Sequence, residues 1–274
     1  MQMRPSRVLA KLRSGAVASC LKLNLADPRA AEIAAYSGVD CVWIDREHVP
    51  NDLGVLENQV RAAKAHDVDT IVRVARGSYS DLVWPLEMDA AGIMVPHLMS
   101  AEDARQVVRQ TRFYPLGRRP LDGGNADGAY CMLPLDQYVS QANQQRLVIV
   151  QIEDPEPMAE LDAIAQVPGI DMLFFGPGDF SQGIGHTGEM GHPQVVEARR
   201  LIAQTAARYG KFAGTVASLD TLPGTIALGY QFVNIAADVV ALADYFRRAV
   251  AAFNDLRARE KITFTIPQWR GEIV

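Results

Sequence analysis

Two acidic residues that follow apolar segments are the most informative chemical groups in this chain. Glu153 lies in the segment RLVIVQIEDPEP at positions 146–157, and Asp179 ends GIDMLFFGPGD at positions 169–179. Runs such as VIV at 148–150 are apolar on both faces, which is typical of a parallel strand buried between helices. Two carboxylates at the carboxyl ends of adjacent strands repel each other unless a cation lies between them. We therefore predict a divalent metal site with Glu153 and Asp179 as ligands.

Mg²⁺ or Mn²⁺ suits two carboxylate ligands that leave coordination positions for water and substrate, although Co²⁺ or Zn²⁺ could substitute in vitro.

A candidate acid–base pair follows the second predicted strand, in the segment VWIDREH at positions 42–48. Histidine with a carboxylate partner is the usual general base near neutral pH, so Asp45 and His48 form the candidate proton shuttle. Arg73 ends the third predicted strand, where its guanidinium suits an oxygen anion that develops on a substrate.

The turn Gly176-Pro177-Gly178-Asp179 offers free backbone N–H groups at a predicted helix start. Such groups favour an anion, for example a substrate carboxylate. The predicted cation, base, arginine and carboxylate site together suit a 2-oxo acid that loses its C3 proton to give a metal-stabilised enolate. Carbon–carbon bond making or breaking would follow.

Short apolar strands alternate with amphipathic helices along the chain, and this order predicts a (β/α)8 barrel. The predicted strands cover 16–23, 39–45, 69–74, 91–96, 146–152, 170–175, 211–216 and 231–235. The predicted helices cover 28–37, 52–65, 79–89, 101–110, 156–166, 193–209, 219–228 and 239–257. No Gly-x-Gly-x-x-Gly follows the first strand, which argues against dinucleotide binding. We predict one domain over 1–274.

Two irregular segments interrupt the alternation. Residues 111–133 are rich in Gly, Pro, Asp and Asn, and such long loops often act as active-site lids. Residues 181–192 follow Asp179 directly. We expect both segments at the same rim as the two carboxylates. The apolar and aromatic tail at 259–274 is expected to pack on a surface or on a neighbouring subunit.

The composition fits a soluble small-molecule enzyme. The chain has 274 residues, is 49% hydrophobic and 22% charged, and carries a formal net charge of −5. The acidic balance argues against nucleic acid or an anionic membrane as partner. No apolar run approaches the ~20 residues of a membrane-spanning helix. The 3 cysteines are odd in number, which favours a reducing, cytoplasmic setting.

Five segments in order resemble the metal-dependent pyruvate aldolases: WIDREHVPNDL, TIVRVARGS, AAGIMVPHLMSAEDARQVV, VQIEDPEP and GIDMLFFGPGDFS. These are the class II 2-keto-3-deoxy-sugar-acid and 4-hydroxy-2-oxoheptanedioate aldolases of the citrate lyase beta superfamily. The similarity covers roughly residues 15–255. It implies a (β/α)8 barrel whose last helix packs on a partner, in a homo-oligomer such as a hexamer built as a trimer of dimers. It also implies a 2-oxo acid and an aldehyde as substrates.

The resemblance assigns roles to individual positions. It implies metal ligation by Glu153 and Asp179, a base at His48 with Asp45, and enolate stabilisation by Arg73. It further implies that Gln151 supports the water shell of the metal. The backbone of Gly178 and Asp179 would hold the pyruvyl carboxylate.

An acidic residue near a subunit interface assists the histidine in several family members, and Glu87 stands at the matching position. Two departures from the family concern substrate choice. Arg46 replaces the usual glycine and could bind an acidic acceptor aldehyde. The usual Gly-x-Arg-Gly of the lid becomes Gly117-Arg118-Arg119-Pro120 here.

Several alternatives remain open at this stage. The same site could decarboxylate oxaloacetate, or the chain could be a coenzyme A thioester lyase of the citrate lyase type. It could also be a non-catalytic metal-binding barrel. Two of His97, His186 and His192 could form a different metal site with Glu153. Lys22 could form a Schiff base with a carbonyl substrate.

Overall fold

Eight parallel strands close into a barrel in the computed structural model, which describes residues 2–260. Each strand pairs with the next one in the chain and the last pairs with the first, so the predicted (β/α)8 fold is confirmed. The strands are Ala18–Leu23 (β1), Cys41–Asp45 (β2), Asp69–Arg73 (β3), Gly92–Val95 (β4), Leu147–Ile152 (β5), Met172–Phe175 (β6), Phe212–Val216 (β7) and Phe232–Ala237 (β8).

The helices alternate with these strands. They are Arg7–Arg13 (α1), Pro28–Tyr36 (α2), Leu53–Ala65 (α3), Tyr79–Glu87 (α4), Ala101–Thr111 (α5), Leu135–Gln145 (α6), Leu161–Ala165 (α7), Pro177–Gly183 (α8), Pro193–Arg208 (α9), Leu222–Ala227 (α10) and Asp238–Arg259 (α11). Short 3₁₀ helices cover Ala126–Gly128 and Glu156–Glu160.

The amino-terminal end of the barrel is closed by α1. Val8, Leu9 and Leu12 of this helix belong to one buried apolar cluster with interior side chains of the barrel, among them Trp43 and Phe174. Burial of these side chains holds the helix in place. The carboxyl end of the strands is therefore the open end, as in (β/α)8 enzymes generally.

Three of the described helices, α1, α6 and α8, lie outside the eight predicted helical ranges, although a helix start was predicted at the turn that begins α8. In α6 the apolar residues Leu135, Tyr138, Val139 and Ala142 follow helical spacing, and Tyr138 and Ala142 are buried, so this periodicity is a signal that could have pointed to the helix. In α8 two glycines and a proline lie within seven residues, a composition that indicates a turn. The predicted helix over 156–166 is divided into a 3₁₀ turn and the short α7.

The glycine-rich segment after α5 lies at the other end of the barrel from its expected position. Arg112, which directly follows α5, donates from Nε to the Gly169 carbonyl at 3.0 Å and from Nη1 to the Arg146 carbonyl at 2.8 Å. Both carbonyls precede strands, β6 and β5. Because α5 runs antiparallel to the strands, its last residue returns to their amino ends. The expectation that residues 111–133 share the rim of the two carboxylates is corrected accordingly.

The chain divides into two compact units, one that ends at Asp238 and one that starts at Val239. The barrel lies in the first unit. The described part of the second unit is α11, whose large apolar side chains are exposed. The predicted tail at 259–274 lies outside the described residues beyond position 260. None of the described helices has the length and apolar character needed to cross a bilayer.

Candidate active site

Glu153 and Asp179 lie at the carboxyl rim of neighbouring strands. Ile152 of β5 pairs with Phe175 of β6, so Glu153 directly follows one partner and the turn into α8 follows the other. Glu153 is completely buried, whereas Asp179 is exposed in the first turn of α8. Burial is the main cause that raises the pKa of Glu153 to about 7, and the charges of Glu47 and Asp179 also raise it. This mutual repulsion is the electrostatic condition that favours a cation.

The Glu153 carboxylate is held in one orientation. Its Oε1 accepts a hydrogen bond from the His97 backbone N–H at 2.9 Å, and its Oε2 accepts one from the Gln151 side chain. Gly176 leaves the space that both side chains occupy, because a Cβ at this position would lie 2.6 Å from Glu153 Oε2 and 2.9 Å from Gln151 Nε2. A glycine is therefore required here for close packing, although its φ is not positive.

Arg73 is fixed in the barrel mouth by two carboxylates. Its Nε and Nη2 donate to Asp45 at 3.0 and 2.6 Å, and its Nη1 lies 3.0 Å from Glu47 Oε2. The guanidinium stacks over the Trp43 ring at 5.0 Å from the centroid. Burial pushes the pKa of Asp45 upward, but the bonds from Arg73 and Lys22 outweigh it and bring that pKa to about 2. A preorganised cation of this kind costs little reorganisation when negative charge develops nearby.

His48 has a different carboxylate neighbour from the one predicted. Its side chain is 56% exposed and its Nε2 lies 3.6 Å from Glu47 Oε2. Both Asp45 oxygens are engaged by Arg73, and Lys22 Nζ lies 2.9 Å from Asp45 Oδ2. Among the described contacts none joins His48 to Asp45, so the predicted pairing is replaced by His48 beside Glu47. Asp45 instead orients the arginine.

Arg46 and Glu87 lie away from this group of side chains. Arg46 donates from Nε to the Asn51 carbonyl at 3.2 Å, and its Nη1 is 3.8 Å from Asp81 Oδ1. Glu87 is the last residue of α4, at the amino-terminal end of the barrel, where burial raises its pKa and the charge of Arg119 lowers it. Glu87 therefore cannot reach His48 of its own barrel. Contact between Arg46 and an acceptor aldehyde stays a prediction.

Two residues of the rim were not given a catalytic role from the sequence. The Glu47 carboxylate lies beside the side chains of Arg73, His48 and His97. The sequence suggested His97 only as an alternative metal ligand. The His97 ring lies with Nε2 3.3 Å from Glu47 Oε1 and Nδ1 2.9 Å from Asp154 Oδ2. Their positions just after β2 and β4 are the signal that could have pointed to them, since residues that follow parallel strands line the mouth.

The other histidines considered as ligands lie apart from Glu153. His186 and His192 stack on each other with ring centroids 3.8 Å apart, and His192 Nδ1 accepts the backbone N–H of Gln194 at the start of α9. Within residues 2–260, the side chains with ligand atoms close enough to share an ion are Glu47, His97 and Glu153.

Comparison with known sequences gives a family match over most of the chain. Residues 19–244 match the family model described as HpcH/HpaI aldolase/citrate lyase. The chain is 35% identical over 254 residues to the hydroxypyruvate/pyruvate aldolase of Pseudomonas aeruginosa, which covers 92% of this chain and 94% of that protein. It is 33% identical over 248 residues to the 2-keto-3-deoxy-L-rhamnonate aldolase of Salmonella dublin, with 90% and 92% covered.

Comparison with solved structures agrees. An HpcH/HpaI aldolase/citrate lyase family protein from Burkholderia cenocepacia J2315 superposes with a TM-score of 0.84 at 31% sequence identity, over 91% of this chain and 99% of that one. The similarity thus extends over the whole barrel and includes every strand that contributes to the rim.

Proposed function

The chain belongs to the HpcH/HpaI aldolase/citrate lyase family and is a carbon–carbon lyase, and from this premise we propose that it cleaves or forms 4-hydroxy-2-oxo acids. Pyruvate or a close 2-oxo acid supplies the enolate, and an aldehyde is the second substrate. The reaction class follows the family, and the side chains at the barrel mouth are proposed to supply its chemistry.

The residues at the rim fit a divalent cation. Glu153 and Asp179 are proposed to hold it, because both offer carboxylate oxygens and the charge of Asp179 raises the pKa of Glu153. Gln151 Oε1 is buried without a hydrogen-bond partner among the described residues, so it is a further oxygen that could support the bound ion. A bound Mg²⁺ or Mn²⁺, or Co²⁺ or Zn²⁺ in vitro, would act as a Lewis acid towards the oxygens of the 2-oxo acid.

Arg73 is proposed to stabilise the enolate. Its guanidinium is oriented by Asp45 and Glu47 before substrate binds, so the positive charge is already in place when the keto oxygen becomes negative. The turn at Gly176, Gly178 and Asp179 is proposed to hold the substrate carboxylate through backbone N–H groups. This arrangement orients the C3 carbon towards the base.

His48 is proposed to take the C3 proton at its ring nitrogen. Its side chain is exposed at the open end of the barrel, where a substrate can approach it, and Glu47 lies beside it to support the imidazolium that forms. Aldol cleavage runs the same steps in the opposite direction. His48 would then accept the proton of the C4 hydroxyl as the C3–C4 bond breaks and the aldehyde leaves, and it would return that proton to C3 of the enolate.

The observation that carries the proposal is the fixed Arg73 beside the buried Glu153 at one open rim. The test is exchange of the C3 protons of pyruvate for deuterium, followed by NMR. We expect exchange with Mg²⁺ or Mn²⁺ and its loss after treatment with a chelator. Equal exchange in chelated and metal-loaded protein would contradict the proposal.

His48→Ala should separate proton abstraction from decarboxylation. Loss of a general base costs about 10²–10⁴-fold, so we expect C3 exchange and aldol cleavage to fall by about that factor. Decarboxylation of oxaloacetate reaches the same enolate without removing a proton and should change little. Rates of both reactions are measured on the same preparation. A parallel loss of both activities would assign His48 to substrate binding instead.

Gly176→Ala should weaken metal binding without a charge change. The added methyl group would lie 2.6 Å from Glu153 Oε2, so the carboxylate must move. We expect the Mn²⁺ affinity, measured by calorimetric titration, to fall by about tenfold or more, since a displaced or poorly supported ligand typically costs 10–100-fold. Gly191→Ala is the matched control, because a Cβ there meets no atom within 4 Å. Equal affinity in both variants would show that Glu153 does not bind the metal.

We further propose a homo-oligomer, a hexamer or trimer of dimers, in which Glu87 of one copy assists His48 of another. Glu87 lies at the barrel end opposite its own His48, so only a second copy could bring it there. In α11, Leu242, Phe246 and Phe253 follow helical spacing and are all exposed, as expected for an interaction surface.

The proposed setting is the cytoplasm. Cys20 and Cys41 are buried and unpaired, which suits a reducing compartment. The substrates are small molecules, and the net charge of −5 gives no reason to expect nucleic acid or membrane as a partner.

A further inference from the structure

The imidazole of His97 has its tautomer set by a neighbouring carboxylate. Nδ1 lies 2.9 Å from Asp154 Oδ2, and a carboxylate only accepts hydrogen bonds, so Nδ1 carries the proton. In the neutral ring the lone pair is then on Nε2. A histidine whose second nitrogen is bonded to a carboxylate is the common arrangement around protein-bound metals, because the carboxylate orients the ring and makes it a better ligand.

The free nitrogen of this ring points towards the group of acids at the rim. His97 Nε2 is 3.3 Å from Glu47 Oε1, whereas Nδ1 is 3.8 Å from Glu153 Oε1. One ring nitrogen of His97 lies together with one oxygen of Glu47 and one of Glu153, all within 4.8 Å of one another. A nitrogen lone pair opposite a carboxylate oxygen at the Nε2–Glu47 distance is repulsive unless a positive charge lies between them. The backbone N–H of His97 also binds Glu153, which fixes the ring relative to that carboxylate.

The charge around the ring favours a cation that carries more than one positive charge. Carboxylates of Asp45, Glu47, Glu153, Asp154 and Asp179 converge on this rim. Among the described residues, the lysine and arginine side chains that contact this set are Lys22 and Arg73. A single proton on His97 would leave most of the net negative charge of these carboxylates in place. A divalent ion offsets two negative charges.

We infer that His97 binds the metal through Nε2, together with Glu153 and Glu47, and that this nitrogen ligand biases the site towards transition-metal ions over Mg²⁺. The inference rests on the proposed metal-dependent function and extends it to a ligand and a metal class. Imidazole is a good ligand for Co²⁺, Zn²⁺ and related ions, whereas Mg²⁺ prefers oxygen ligands and retains its water.

The decisive measurement is electron spin echo envelope modulation (ESEEM) spectroscopy of Mn²⁺ bound to the full-length protein. A directly bound imidazole gives a ¹⁴N modulation. We expect this modulation in the wild type, its conversion to a ¹⁵N pattern after labelling with ¹⁵N-histidine, and its loss in His97→Asn. Asparagine is chosen because His97 has φ +47°, a conformation that asparagine tolerates. The labelled wild-type protein gives an answer even if the variant folds poorly.

His66→Gln is the matched control, since His66 also lies beside an acid, Glu32, but is remote from this rim. It should keep the ¹⁴N modulation. We also expect His97→Asn to lower Co²⁺ affinity about 10–100-fold, the range seen when histidine ligation is disturbed, while Mg²⁺ affinity changes by less than about threefold.

The possible failures are distinguishable. Stoichiometric Mn²⁺ binding that Glu153→Gln removes, but with no histidine nitrogen modulation, would overturn the role of His97 and leave the proposed function intact. A protonated ring bridging Asp154 and Glu47 would give this result. Absence of Mn²⁺ binding to the wild type would overturn the proposed function and this inference together.

Discussion

Glu153→Gln should lower the metal-dependent kcat/KM about 10³-fold, because Lewis-acid stabilisation is worth several kcal/mol and each 1.36 kcal/mol is a factor of ten. The substitution keeps the shape of the side chain and removes its charge. Gln151 can accommodate the new amide, because its own amide can rotate and its Oε1 has no hydrogen-bond partner among the described residues.

The fold should survive this change. Glu153 is completely buried, and a buried carboxylate costs free energy unless it is paired. We therefore expect the melting temperature of the chelated variant to equal that of the chelated wild type or to exceed it. Loss of activity together with a stable fold would separate a functional role of the carboxylate from a structural one.

Calorimetric titration with Mn²⁺ and steady-state kinetics on the same samples check this prediction. Glu156→Gln is the matched control, because it removes an exposed acid three residues further along the chain. The control should bind metal and turn over like the wild type. If Glu153→Gln kept its metal affinity and rate, the metal site would have to be elsewhere.

The strands could be predicted from the sequence because burial on both faces leaves a direct signal. The run at 148–150 is apolar throughout, and β5 is buried at every position. The rule that strand ends meet at one rim then brought Glu153, Asp179 and Arg73 together without any further information. Neighbouring strands such as β2 and β3 confirm it, since Asp45 and Arg73 are register partners.

Contacts between side chains beyond the strand ends could not be predicted in this way. Residues 46–48 lie beyond the end of β2, so alternation no longer decides where their side chains point. Asp45 turned out to hold Arg73, and Glu47 took the position beside His48 that the sequence assigned to Asp45. Both residues are acids in one short segment, and only the three-dimensional path of the turn distinguishes them.

The position of the glycine-rich segment was missed for a different reason. Its composition indicates a long loop but does not say at which end of the barrel the loop lies. That depends on the helix before it, and α5 returns the chain to the amino-terminal end. There Arg119 and Asp127 are both buried and paired at 2.8 Å, so this part of the segment is anchored in the protein.

Arg73→Lys should reduce kcat about 10²–10³-fold and leave KM for the 2-oxo acid within a few-fold, the pattern for loss of a group that acts on developing charge. Lysine keeps the positive charge but cannot form the two parallel bonds to Asp45 and the third contact to Glu47. The ammonium would therefore be less precisely placed when the enolate forms. Asp45 retains Lys22 as a partner at 2.9 Å, which limits the structural damage.

Steady-state kinetics and the rate of C3 deuterium exchange test this prediction together. Both kcat and exchange should fall in parallel, because enolate formation is the step that the guanidinium stabilises. Arg105→Lys is the control, since Arg105 is exposed and pairs with Glu102 of its own helix at 2.8 Å. A rise in KM with unchanged kcat would mean that Arg73 stabilises bound substrate and transition state equally, which would make it a binding residue and remove the enolate-stabilising role proposed for it.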